Sequence, residues 1–164
     1  MIHIGYNHKI IDIIHKYGQD ILDSDIFREE LRFIQHGDIT TYQHSLAVTY
    51  VSVYLALKYR AKVDMKSLVR GALLHDFFLY DWHEKNRFHS FHGYTHATTS
   101  IRNAHKHFRI NGTEKSIIYS HMFPLNLTRI PKCKEAVIVC MADKICATAE
   151  TITFVKYAKH LSYT

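Results

Sequence analysis

The sequence predicts an all-α fold, a single-domain helical bundle of about six to eight helices spanning residues 1–164. Three observations carry that reading. Only two prolines and six glycines interrupt the 164 residues. Apolar residues recur mostly at intervals of three and four, the spacing of one helix face. No sustained two-residue alternation is bounded by Asn-Gly or Asp-Gly, so strands do not dominate. A chain of this length fits one domain and can bury one sizeable core without staples.

The elements follow in order. A first helix near Asn7 to Tyr17 places Ile10, Ile11, Ile14 and Tyr17 on one face. Ser24 can cap a second, running to about Gln35 through Ile26, Glu29, Glu30, Leu31 and Ile34, and Gly37-Asp38 end it. Thr40 with Gln43 fits a capping box, in which two side chains satisfy orphan amide donors, and the helix it opens spans Thr41 to about Tyr59. Asp64 is the N-cap of a fourth helix reaching about Phe78. Leu79 to Gly93 turns polar, aromatic and histidine-rich, which predicts a long surface loop. Helices resume at about Tyr94 to Arg109 and Thr113 to Met122, split by Asn111-Gly112. Pro124 to Pro131 connect to a strongly apolar helix, about Lys132 to Thr151, and a short helix near Thr153 to Leu161 follows.

Apolar residues make up 47% and charged residues 22%, which excludes disordered, collagen-like and low-complexity classes. Three cysteines spaced C-x6-C-x5-C (Cys133, Cys140, Cys146) match no zinc hairpin and are too few for a disulfide framework. They point to a reducing compartment with buried or idle thiols. Met1 to Lys16 carries His3, His8, Lys9 and Asp12 between its isoleucines, unlike a signal peptide or membrane span. A cytoplasmic location and no membrane partner are therefore expected. The net charge of +6 and pI of about 9.2 favour anionic partners. The basic residues are scattered singly, so a nucleic acid is left open as a partner rather than indicated.

Histidine is the outlier, at 14 residues. Imidazole is the most common side-chain metal ligand, so the positions matter. His44 shares a helix face with Val48, Val51 and Leu55 and points inward with them. His75 and Asp76 end the run Gly71-Ala72-Leu73-Leu74, where an ionised carboxylate needs a compensating positive charge. Asp143 closes the most apolar stretch, Ala136 to Ala142. Adjacent helical residues point about 100° apart, which makes Lys144 a poor ion-pair partner for it and favours a ligand role. His96 opens the helix after the long loop, and His121 follows Ile117 on a shared face.

In this order the chain resembles the HD-domain superfamily of metal-dependent phosphohydrolases. The matching motifs are His44 in TYQHSLAV, His75 and Asp76 in GALLHDFF, and Asp143 in CMADKI; two-metal members add two histidines that His96 in YTHATTS and His121 in YSHMFP fit. Two positions depart. Leu79 stands where many two-metal relatives carry lysine, and Ala97 where proline often follows the histidine. The resemblance covers about residues 40–150, the metal-site core, with residues 1–39 as N-terminal helices packing on it.

The resemblance implies two divalent transition metal ions (iron, manganese, cobalt or zinc) on His44, His75, Asp76, His96, His121 and Asp143. A mononuclear site would use His44, His75, Asp76 and Asp143. Asp76 is the natural bridge, and His75 and Asp76 are the catalytic pair. Two divalent ions against two carboxylates leave a positive centre, which wants an anion such as phosphate. The implied reaction is attack of metal-bound hydroxide on a phosphate ester or anhydride, with a phosphorylated small molecule, a nucleotide by preference, as partner. Lys144 and His92 are substrate-binding candidates. Lys85, Arg87, His83 and His89 are candidates for a basic lid, and Tyr80 and Phe91 for stacking on a base. His105 and His107 read as plain surface. Relatives of inositol oxygenase hold two irons on a similar ligand set, so a di-iron oxygenase is the second enzyme class. A non-catalytic domain binding a nucleotide or RNA is the third reading.

Overall fold

In a computed structural model, described over residues 7–36, 38–80 and 92–152, the chain is all-α with one small hairpin. In chain order the elements are α1 (His8–Leu22), α2 (Asp25–Arg28), β1 (Ile34–His36), β2 (Ile39–Thr40), α3 (Thr41–Lys58), α4 (Met65–Leu73), α5 (His92–Phe108), α6 (Gly112–Ser120) and α7 (Lys134–Ile152). A 3-10 turn, Glu29–Arg32, joins α2 to β1. The short helix expected at Thr153 to Leu161, and most of the loop expected from Leu79 to Gly93, lie outside the described residues. Among the described residues no helix is long and apolar enough to cross a membrane.

The capping box forms as the sequence predicts. Gln43 donates its backbone N–H to Thr40 Oγ1 (3.2 Å), and Thr40 returns its own to Gln43 Oε1 (3.0 Å). The helix it opens, α3, is the axis of the fold, with α7, α4 and α1 packed around it. The expectation of one inward face understates its burial. Thr41, Tyr42, Ser45, Thr49 and Ser52 are buried along with Val48, Val51 and Leu55. Thr49 needs no solvent face, because its hydroxyl bonds back to its own helix, donating to the Ser45 carbonyl at 2.7 Å, and Thr41 Oγ1 donates to Gln35 Oε1.

Two expected helices stop short. The segment after Ser24 is helical only over Asp25–Arg28, then tightens and turns into β1, which pairs antiparallel with β2. Ser24 makes no side-chain capping bond, and a helix this short is marginal by itself, so tertiary contacts decide. They bury Glu30 and Gln35 instead. The fourth helix, capped by Asp64 as expected, ends at Leu73 rather than Phe78. Near its end Ala72 O accepts from His75 Nδ1 (2.7 Å), and in the turn beyond it Asn103 Nδ2 donates to Phe77 O and Phe78 O. The chain leaves through Leu79 at φ 58°, a left-handed backbone that a right-handed helix does not allow.

Gly71 lets α4 approach α6. A methyl group there would lie 2.5 Å from Ile117 Cδ1. That approach sets the turn carrying His75 and Asp76 beside the C-terminus of α6. Apolar burial by Ile10, Ile14, Phe27, Leu68, Leu73, Phe77, Ile117 and Val139 fills the rest of the interior. The cysteines are free thiols, with Cys140 and Cys146 buried.

Candidate metal centre

Five elements deliver six side chains to one buried place. His44 comes from the first turn of α3, His75 and Asp76 from the turn after α4, His96 from the second turn of α5, His121 from the C-cap of α6, and Asp143 from the middle of α7. All six are buried. They fall into two groups whose ligand atoms lie within 4.8 Å of one another: His44, His75 and Asp143, and Asp76, His96 and His121.

Asp76 joins the groups. Its Oδ2 lies 3.5 Å from His75 Nε2 and 3.9 Å from His44 Nε2, while its Oδ1 lies 3.3 Å from His96 Nε2 and 3.2 Å from His121 Nε2. Asp143 Oδ1 is 3.2 Å from His44 Nε2 and 4.0 Å from His75 Nε2. Each oxygen of the Asp76 carboxylate therefore serves a different set of imidazoles.

The outer contacts of the rings fix which nitrogen faces inward. A carbonyl oxygen can only accept, so His75 Nδ1–H donates to Ala72 O (2.7 Å) and His121 Nδ1–H donates to Ile118 O (2.8 Å). Their Nε2 lone pairs are thus presented to the centre. His44 Nδ1 is held by the Glu150 carboxylate at 2.8 Å, again leaving Nε2 inward. His96 and His121 face each other Nε2 to Nε2 at 2.9 Å, a contact two lone pairs would not tolerate. It calls for a positive or protonic centre between the rings. His75 Nε2 and Asp76 Oδ1 are buried without a hydrogen-bond partner. Inward lone pairs, an orphaned nitrogen and an orphaned carboxylate oxygen in one place fit divalent metal ions.

The electrostatics agree. Burial pushes the His75 imidazole down to about 4, so it stays neutral and able to ligate. Burial would lower His44 too, but the hydrogen bonds it donates to the Asp143 and Glu150 carboxylates outweigh it and raise its pKa well above the usual value. A proton on Nε2 there does what a cation would do. Burial opposes ionisation of Asp76 and Asp143, yet the surrounding imidazoles hold both well below the ordinary carboxylate range.

Lys144 overturns one expectation. Its ammonium reaches back to Asp143 Oδ2 at 2.9 Å and also donates to the backbone carbonyl of His121. Four methylenes are long enough to bend around the helix, so the angular argument against pairing fails for this residue. His92 opens α5, two residues earlier than the expected start, and its side chain is outside the described residues, as are Lys85, Arg87, His83, His89 and Phe91. Tyr80 is described and half-buried, its ring 4.9 Å from that of Phe78, and burial together with the Asp76 charge pushes its hydroxyl up to about 12. A surface hollow of about 500 Å³ at Ala61, Pro131, Cys133 and Val137 is lined by none of the six.

Three site residues escaped the sequence reading. Glu150 lies seven residues after Asp143, two helical turns on the same face, a spacing that could have exposed it. Gln35 Nε2 donates to Asp76 Oδ2 at 2.7 Å, and Thr41 Oγ1 donates to Gln35 Oε1 at 3.4 Å, which orients the amide. No sequence signal marks it. Glu30 is fully buried; burial first, then the Asp76 charge, raise its pKa well above the ordinary carboxylate value.

The family model described as HD domain matches residues 41–148. No curated protein and no solved structure matches the chain significantly.

Proposed function

The chain belongs to the HD-domain family, and from that premise we propose that it is a metal-dependent phosphohydrolase cleaving a phosphate ester or anhydride, with a nucleotide as the favoured substrate class. The observation that supports this most is the pair of buried ligand groups sharing Asp76, one carboxylate oxygen to each. When bound, two divalent ions supply Lewis acidity toward a phosphoryl group and a water acidic enough to act as nucleophile near neutral pH. Iron, manganese, cobalt and zinc all suit imidazole and carboxylate ligands.

The residues of the chain divide the work. His44, His75 and Asp143 would hold one ion, His96 and His121 the other, with Asp76 between them. A mononuclear centre would keep His44, His75, Asp76 and Asp143. The carbonyls of Ala72 and Ile118 keep the His75 and His121 protons on Nδ1, away from the ions. Formal charge favours an anionic substrate. Two divalent ions would outweigh Asp76 and Asp143 by about two charges, with Lys144 on Asp143 adding to that excess and Glu150 behind His44 reducing it. Lys144 carries three N–H donors and spends two on Asp143 and His121, leaving one for a substrate phosphate. His92, one turn before His96 on α5, is the second substrate-binding candidate, and the Tyr80 ring, which packs on Phe78, is the candidate to stack on a base.

Elemental analysis of protein purified without chelator, paired with a screen of phosphorylated compounds for released phosphate or nucleoside, tests the reading. About two ions per chain and turnover that ceases on chelation are expected. Dioxygen uptake by the iron-loaded protein without hydrolysis would overturn it in favour of an oxygenase. Absence of stoichiometric metal, with nucleotide binding intact in Asp76→Ala, would make the chain a non-catalytic binder.

A further inference from the structure

Glu150 falls outside the stretch matched by the family model, residues 41–148, yet it meets a residue at the heart of the centre. Its Oε2 lies 2.8 Å from His44 Nδ1, and both side chains are fully buried. Asp143 Oδ1 lies 3.2 Å from the other ring nitrogen, Nε2. One face of α7 thus sets a carboxylate on each side of a single imidazole, two turns apart: Asp143 within the ligand group, Glu150 behind the ring. The second oxygen of Glu150, Oε1, is buried with no hydrogen-bond partner. A side chain retained to stabilise the core would not leave half its carboxylate unsatisfied there. The residue makes sense by what it does to His44.

We propose that Glu150 is a positioning residue: accepting the Nδ1 proton of His44, it fixes the ring with Nε2 directed at Asp143 and Asp76 and makes that nitrogen a stronger ligand for a divalent cation. A carboxylate hydrogen-bonded to the far nitrogen of a ligating imidazole sets the tautomer, locks the ring angle and increases its basicity. The inference rests on the metal-binding part of the functional reading above and does not depend on what the centre hydrolyses. Its effect is local. Glu150 touches His44 and so acts on the group of His44, His75 and Asp143, with no contact to His96 or His121.

The test is a titration of chelator-treated full-length protein with cobalt(II), followed by absorbance, in Glu150→Gln, Glu150→Ala and the parent chain. The titration is repeated in a His121→Ala background, where the His44 group is the complete one. Glu150→Ala should weaken cobalt binding at the His44 group by roughly tenfold to a hundredfold. Glu150→Gln keeps the shape and an acceptor but loses the charge, and should weaken it less. Binding at the His96 and His121 group should hold steady. Should Glu150→Ala fail to fold, Glu150→Gln decides alone. Unchanged cobalt affinity in folded Glu150→Gln, or equal weakening of both groups, overturns the proposal. Parent protein that binds cobalt and hydrolyses nothing would sink the phosphohydrolase reading and leave this one standing. Hydrolysis in the parent with cobalt affinity untouched by Glu150 would do the reverse.

Discussion

The two candidate ligand groups share one aspartate and differ in the charge set behind it. Around His44, His75 and Asp143 the second layer is dense: Glu150 on His44, Ala72 O on His75, Lys144 on Asp143, and Gln35 on the Asp76 oxygen that faces this group. Around His96 and His121, Ile118 O accepts from His121 Nδ1, and the Phe78 ring meets His96 edge-on at 5.9 Å. The first group also holds a carboxylate of its own, Asp143, with Glu150 behind it. Among the described residues the second borrows its only carboxylate oxygen, Asp76 Oδ1. Charge favours the first group for a divalent cation, so the centre should load unequally, one ion tightly and one weakly.

Removing the shared residue breaks both halves. Asp76→Ala should lower turnover on the order of a thousandfold or more, the scale of several kcal/mol of lost transition-state stabilisation, and should weaken both ions. Unchanged turnover would remove Asp76 from the centre. The halves then separate by paired variants. His121→Ala should leave about one tightly held ion per chain, and His44→Ala should leave only the weak one, read by elemental analysis after gel filtration. Equal residual stoichiometry in the two variants would erase the asymmetry.

Acid sharpens the comparison within the first group. His75 has a folded-state pKa of about 4 against 6.5 unfolded, so the unfolded chain binds the extra proton first. Its contribution is present above about 6.5 and is lost as pH falls toward 4, on the order of 3 kcal/mol in total. Asp76 and Asp143 act the same way at lower pH, since their folded values lie below the ordinary carboxylate range. His44 has the opposite sign: its folded pKa is raised, so its contribution is present below 6.5 and lost as pH climbs through the raised value. Chemical denaturation of chelator-treated protein from pH 7 to pH 4 should show the loss, and His75→Asn should flatten it. Metal release has a different origin. Imidazole ligands must be neutral to bind, and their free pKa is about 6.5. Dialysis at pH 5 should therefore release metal from the His44 group, and full retention would contradict the assignment.

What was readable in the chain follows from how local each signal is. Asp143 stood out because a carboxylate ending seven apolar residues needs a reason, and that reason is visible in one helix. The box at Thr40 and Gln43, and the cap at Asp64, were equally local. The segment from Ser24 to Gln35 was not. Its helical pattern yields to a hairpin because Gln35 finds Asp76 across 41 positions, a contact no window can show. The hydroxyl residues of α3 imitate a solvent face while lying buried, so a single amphipathic stripe was the natural misreading. Lys144 was misjudged by treating a long side chain as a fixed vector.

The smallest effect tests whether the two groups are independent at all. Gln35→Leu keeps the volume near Asp76 and removes the amide that donates to Oδ2 at 2.7 Å. Loss of one outer hydrogen bond to a ligating carboxylate should weaken the ion at the His44 group by about tenfold, the low end for such contacts. Because Gln35 touches Oδ2 and the second group uses Oδ1, cobalt binding at His96 and His121 should change little. Equal weakening at both would show that Asp76 pivots as one rigid carboxylate when its anchor goes. The unequal loading argued above would then have to rest on Asp143 and Glu150 alone.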